Sequence, residues 1–315
     1  MASPLRRLNP FRSDRRRWGR RHNPDGTMTL VDHLYELRYR LGVALLGVVV
    51  GAVFGFWWFS HSWLGVPTLS DIMKAPYCQL PANTRFSPNG TCQLLQTKPF
   101  ESFMIQLKVG VAIGAVVLSP VWLYQLWAFI TPGLHLKERK YARTFVVAAS
   151  LLFVAGALLA YFVVPEGLGF LATFGGDAFF MALSGSDYIN FVLLMLVIFG
   201  VSFELPLVLV MLNRAGVVSY DRLRGWWRGI VFALFVFAAI ATPGQDPVSM
   251  LALAVTLSLL FGAALVICRS QDRRKAKRLQ GQGLAGLDLD EASDLDTAGS
   301  LDTTSSGAKG HDDAT

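Results

Sequence analysis

Residues 191–212 read FVLLMLVIFGVSFELPLVLVML, an apolar run broken by a single acid, Glu204. At 1.5 Å per residue a helix of this length reaches about 33 Å, enough to cross a ~30 Å hydrocarbon core. An ionised carboxylate inside such a run costs several kcal/mol, so Glu204 must be protonated, paired or turned toward a polar group. An acid placed there is a functional candidate by default; the plainer reading is an interhelical hydrogen bond. Pro206, two residues on, removes a backbone donor and predicts a local kink.

Five further apolar runs lie at 41–59, 109–130, 145–164, 226–241 and 248–268. Pro120 interrupts the second as Pro206 interrupts the fourth. The run at 226–241, about 16 residues, is short for a crossing unless the bilayer thins around it. Composition agrees: of 315 residues, 53% are hydrophobic and only 16% charged, and mean hydropathy is +0.42. A soluble domain carries about 25% charged residues. This balance excludes an ordinary cytosolic enzyme and a wholly disordered chain. The expectation is an all-α integral membrane protein with six transmembrane helices.

Lys and Arg assign the sides. Arg38 and Arg40 precede the first run; Lys137, Arg139, Lys140 and Arg143 fill the second connection. Arg214, Arg222, Arg224 and Arg228 fill the fourth, and Arg269, Arg273, Arg274, Lys275, Lys277 and Arg278 follow the last run. The first connection has only Lys74, Arg85 and Lys98; the third and fifth have none. This alternation predicts both termini on the cytoplasmic side. Residues 1–27 hold eight Arg against two acids, and residues 281–315 eight acids against one base. Both ends are poor in apolar residues, so 1–27 and 271–315 read as disordered cytoplasmic tails flanking a membrane domain over 28–270. A basic segment beside a span touches anionic lipid more readily than nucleic acid.

The long first connection, 61–98, falls on the outer, oxidising side. Its prolines, Pro76 among them, forbid one continuous helix, and a piece such as 69–74 is amphipathic enough to lie on the membrane surface. Cys78 and Cys92 share this connection and are placed to form a disulfide; two free thiols are the alternative. Cys268 faces the reducing side.

No nucleotide loop, metal-ligand spacing, catalytic triad order or haem motif is visible, so no cofactor, no metal and no enzymatic activity are expected. The remaining candidates are acids. Glu36 sits beside a Leu34, Leu37, Leu41 stripe at the mouth of the first run. Spacing alone favours an i,i+4 pair with Arg40, worth about 0.3–0.5 kcal/mol. Glu138 is the lone acid among the bases of the second connection, a solvated residue on the plain reading. Two cytoplasmic carboxylates can also receive a guanidinium in bidentate fashion. Asp246, between Pro243 and Pro247, reads equally as a turn cap or a functional acid.

Three strings carry a resemblance. They are Asp32-His33-Leu34-Tyr35-Glu36-Leu37-Arg38-Tyr39-Arg40-Leu41; Leu118 through Leu134, with Pro120, Phe129 and Pro132, running into Lys137-Glu138-Arg139-Lys140; and Phe199-Gly200-Val201-Ser202-Phe203-Glu204-Leu205-Pro206. Tyr161-Phe162-Val163-Val164-Pro165 fits as well. In order and spacing they resemble the TatC family, the multispanning core of the twin-arginine protein translocase, over about residues 28–270. The Leu-, Ala- and Arg-rich composition looks actinobacterial.

The resemblance implies a concave, glove-like helical fold with short fifth and sixth helices. It implies binding of twin-arginine signal peptides on folded precursors and export across the cytoplasmic membrane. TatA- and TatB-type single-span partners, self-association and the proton motive force follow from the same resemblance. It assigns the paired arginines of the signal to Glu36 and Glu138. Arg38, Pro76, Phe129 and Asp246 match transport-sensitive family positions, Pro76 and Phe129 with structural or assembly roles. Glu204 and Thr242 match an intramembrane polar contact with partners. Met250 stands where the family often has Gln, and Gln245 lengthens the outer turn. The competing reading from the residues is a proton-coupled transporter of a small solute that uses Glu204 as carrier; no internal repeat of the kind such transporters show is visible.

Overall fold

The structure, a computed structural model, describes residues 30–63, 65–80, 91–130, 139–173, 183–243 and 246–281. Ten helices occur among them: α1 Leu30–Ser60, α2 Leu69–Cys78, α3 Glu101–Val117, α4 Ser119–Ile130, α5 Arg139–Thr173, α6 Gly185–Ser202, α7 Leu205–Arg214, α8 Tyr220–Gly225, α9 Trp227–Ala241 and α10 Pro247–Gly281. The described residues form no strand, only isolated bridges at Trp63–Val66 and Leu95–Ser184. Four stretches are long and apolar enough to cross a membrane: His33–Ser60, Arg143–Thr173, Gly185–Arg214 and Pro247–Arg278. A fifth candidate is bent, with Glu101–Val117 and Ser119–Phe129 meeting at 62°. The all-helical, multispanning expectation therefore holds, with four or five of the six expected crossings meeting that criterion. The run at 226–241 becomes the 15-residue α9.

The chain divides into two units, Met1–Val201 and Ser202–Thr315. In the first, α1 and α3 touch backbone to backbone. Gly51 and Gly55 on α1 face Gly110 and Gly114 on α3 at four-residue spacing. A Cβ on Gly51 would sit 2.5 Å from the Gly114 carbonyl oxygen, and one on Gly110 2.8 Å from the Phe56 nitrogen. Small residues at this spacing let helices in lipid approach closely enough for backbone contact. Gln106 Nε2 adds a hydrogen bond to the Phe56 carbonyl at 3.0 Å. The bend between α3 and α4 follows from Pro120, which has no N–H to continue the ladder. Beside it, Trp122 Nε1 donates to the Ala115 carbonyl at 2.8 Å.

Helix α2 is longer than the amphipathic piece expected at 69–74, because it contains Pro76 instead of stopping before it. Thr68 opens it: the Asp71 N–H donates to Thr68 Oγ1 and the Thr68 hydroxyl donates back to Asp71 Oδ2 at 2.6 Å. That hydroxyl, with Lys74, holds the Asp71 carboxyl below its ordinary pKa. Pro76 cannot donate to the carbonyl four residues earlier, that of Ile72. Tyr161 of α5 supplies the missing donor, its hydroxyl 2.9 Å from Ile72 O. Tyr188 of α6 donates to the next carbonyl, Met73 O, at 2.8 Å. Leu69, Met73 and Tyr77 form the buried face. Cys78 and Cys92 are disulfide-bonded, with Cα atoms 5.9 Å apart.

Glu101 ties two helix starts together. Its Oε2 accepts from the Thr97 N–H (2.7 Å), the Thr97 hydroxyl and the Lys98 N–H, while Oε1 accepts from the Ser186 N–H in the first turn of α6 at 2.7 Å. Lys108 Nζ donates to Asn190 Oδ1 at 2.8 Å, so it pairs with α6.

In the second unit, α7, α8 and α9 pack on α10. Gly216, at φ +81, turns the chain out of α7, and the Val217 N–H returns to the Leu212 carbonyl at 3.0 Å. This is the left-handed helix end that glycine adopts without a Cβ clash. Two expectations are corrected here. The sixth apolar run does not form a short helix, and residues 271–281 are not disordered: α10 continues to Gly281. Arg, Lys, Gln and Ala are good helix formers, bases suit a helix C-terminus, and Asp272 anchors the extension. Its carboxylate accepts from Asn213 Nδ2 at 3.1 Å and from the Tyr220 N–H at 2.9 Å.

Candidate functional site

The first candidate lies at the start of α1. The Leu34, Leu37, Leu41 stripe places Glu36 beside it, and the carboxylate is half-buried. Arg40 donates to Glu36 Oε1 through both Nε (2.9 Å) and Nη2 (2.6 Å). Both bonds fall on one oxygen, so Oε2 takes no hydrogen bond from the described residues. One turn away His33 stacks on Phe129, ring centroids 4.4 Å apart and planes 15° apart. Phe129 is near the end of α4, so this stack fixes the mouth of α1 against the point where α4 runs into the second connection. Arg38 is exposed on α1. Glu138 lies outside the described residues, immediately before α5 begins at Arg139.

A half-exposed i,i+4 pair contributes only a few tenths of a kcal/mol. An arriving guanidinium can therefore share or replace Arg40 at Glu36 with little loss. Glu36 thus offers a carboxylate to a cationic group.

The second candidate is Glu204, at the break between α6 and α7. It precedes α7 in αR conformation (φ −75, ψ −22), with Pro206 at the second position of the new helix. The Val208 N–H reaches the Glu204 carbonyl at 3.0 Å, so α7 starts cleanly. Both side-chain oxygens are buried and have no hydrogen-bond partner among the described residues. Of the two readings open for this acid, function or an interhelical hydrogen bond, the bond does not occur among the described residues.

Asp246 and Thr242 flank the turn from α9 to α10. Thr242 is buried and its hydroxyl donates back to the Ala238 carbonyl at 3.0 Å. Asp246 is wholly buried and caps α10: Oδ1 accepts from the Ser249 N–H at 2.6 Å, while Oδ2 is buried without a partner among the described residues. Pro76 sits in α2, held by the two tyrosines.

A family model described as "Sec-independent protein translocase protein (TatC)" matches residues 32–255. The chain belongs to the TatC family. Among its relatives, a TatC protein of Corynebacterium kroppenstedtii is 46% identical over 283 residues, which is 86% of this chain and 68% of that protein. One of Frankia casuarinae is 47% identical over 273 residues, 85% of this chain and 73% of that protein. A crystal structure described as the twin arginine translocase receptor TatC superposes with a TM-score of 0.61 at 32% identity. It covers 75% of this chain and 99% of that one. TatC proteins are components of a protein translocase and not enzymes. This chain is accordingly a membrane component of Sec-independent protein translocation, which leaves no role for the rival solute-transporter reading as its family activity.

Sequence reasoning missed several residues. Glu101 carries no expectation in the sequence analysis, although Thr97 four residues before it and Pro99 between them signal a turn around a carboxylate. Tyr161 lay in a matching string but drew no role, because nothing in sequence says which carbonyl a tyrosine will reach. Asp272, a lone acid in a basic stretch, was read as part of a tail.

Proposed function

We propose that this chain is the signal-reading core of a twin-arginine translocase in the cytoplasmic membrane, crossing it six times with both ends in the cytoplasm. Glu36 and Glu138 receive the two arginines of the signal peptide. The apolar part of the signal then enters the membrane domain, and TatA- and TatB-type partners assemble with further copies of the chain. The proton motive force drives export of the folded precursor. Glu204 and Thr242 supply polar contact for partners within the bilayer. Phe129 and Pro76 keep the reading end and α2 in place, and Arg38 and Asp246 are positions at which substitution lowers transport. Residues 1–27 and the segment after α10 serve as cytoplasmic tails.

The observation that carries this reading is the half-buried Glu36 carboxylate, whose Oε2 takes no hydrogen bond from the described residues, framed by the His33–Phe129 stack. A guanidinium needs such an acceptor, and a pair of carboxylates discriminates two arginines from two lysines through bidentate geometry. The test is a photo-crosslink between a twin-arginine peptide and the full chain in membranes. Glu36→Gln with Glu138→Gln should abolish the crosslink, and a twin-lysine peptide should crosslink weakly to the unsubstituted chain. Undiminished crosslinking by the double variant sinks the assignment.

A further inference from the structure

We infer that the far end of α10 carries a binding stripe for anionic phospholipid headgroups. The extension past the apolar run has two unlike faces. Cys268 is buried, and Gln271 and Asp272 are half-buried, toward α7 and α8. Asp272 holds Asn213 and the Tyr220 N–H. The outward face carries Arg269, Arg273, Arg274, Lys277 and Arg278, all exposed. Arg269 leans over the Tyr220 ring at 6.0 Å; the other four have no acidic partner among the described residues.

Three pairs in this stripe, Arg269–Arg273, Arg273–Lys277 and Arg274–Arg278, are like charges four residues apart. Such pairs weaken a helix unless anions lie between them. Asp272, the acid within α10 itself, is committed to the opposite face. The chemistry of the counter-anion follows from depth. Trp226 and Trp227, at the start of α9 in the same unit, are 73% and 48% exposed. Arg228 stands 5.5 Å over the Trp227 ring. Exposed Trp with adjacent Arg marks the headgroup layer of a bilayer. At 1.5 Å per residue, Arg269 and Arg273 lie about 2–8 Å beyond Cys268, within that layer. Lys277 and Arg278 lie about 14 Å beyond Cys268, within reach of its surface potential. Lipid phosphates are the anions present at that depth. This inference requires only that 248–268 crosses the membrane; it is independent of signal reading.

The test uses the purified full chain in nanodiscs of phosphatidylcholine with and without phosphatidylglycerol, counting retained lipids by native mass spectrometry. The unsubstituted chain should retain phosphatidylglycerol in preference. A variant carrying Arg273→Gln, Arg274→Gln, Lys277→Gln and Arg278→Gln should retain it about tenfold less. Equal retention by both overturns the inference. So does a rise in retention when residues 288–315 are removed, which would make the chain's own acidic end the occupant. Should the variant lose helix content, the unsubstituted chain is titrated at low and high salt. Retention that falls with salt supports the stripe, and retention indifferent to salt overturns it.

Discussion

Glu204 is half-buried and both its carboxyl oxygens are buried, neither hydrogen-bonded among the described residues, at a helix break that Pro206 would produce with or without it. An unpartnered buried polar group costs about 1–3 kcal/mol. An apolar residue there should therefore make a more stable protein. Glu204→Leu is predicted to raise the unfolding free energy in detergent by about 1–3 kcal/mol, read by thermal melting, while translocation in membrane vesicles falls. A melting temperature that drops would mean that the carboxyl has a stabilising partner. The sequence made this acid legible because the bilayer permits so few charges. It made Glu36 legible only through the neighbouring motif, since an i,i+4 partner on a surface helix is commonplace. Glu101 and Asp272 stayed hidden because their worth lies in which distant N–H groups they meet.

Among elements, α2 joins a sequence-legible feature to a hidden one. Pro76 announces a missing donor, and the tyrosine that replaces it is 89 residues away. The two should be energetically coupled. Tyr161→Phe alone leaves the Ile72 carbonyl without its donor, a loss of about 1 kcal/mol. In a Pro76→Ala background the new N–H at position 76 can serve that carbonyl, and Tyr161→Phe should then cost much less. A double-mutant cycle on thermal stability, with signal-peptide crosslinking as a control that neither change should move, measures the difference. Additive effects would show that the hydroxyl and the proline act separately. The spans themselves were legible from hydropathy, and the α3–α4 bend from Pro120. The reach of α10 to Gly281 was not, because composition alone cannot see the Asp272 anchor. The glycine contact of α1 with α3 was also unread: Gly51, Gly55, Gly110 and Gly114 acquire meaning only when two helices are laid together.

For the molecule as a whole, the Cys78–Cys92 bridge closes a loop with a sequence separation of 14 around the end of α2. Chain-entropy estimates for a loop of this length give about 3 kcal/mol. Cys78→Ser with Cys92→Ser is predicted to lower stability by about that amount, and reductant should do the same to the unsubstituted chain. If melting is unchanged by reductant, the two tyrosines and Glu101 suffice to hold the outer segment. The bridge also reports sidedness: in intact cells it should resist cytoplasmic reductants and yield to an added impermeant one. Of the twenty-nine Lys and Arg, most fall in segments read as cytoplasmic, which yields an expectation for orientation and none for the arrangement of helices.

The tyrosine clamp on α2 also has a consequence in time. The chain is made from its N-terminus, so Ile72 leaves the ribosome 89 residues before Tyr161. At roughly 5–20 residues per second that interval is about 4–18 s. Throughout it the Ile72 carbonyl lacks both a helical donor and its tyrosine, and in hydrocarbon it would have none. Nascent α2 must therefore wait in water, beyond the bilayer, until α5 arrives. The clamp fixes an order of assembly in which this helix docks only after α5 and α6 are made and does not insert with its neighbours.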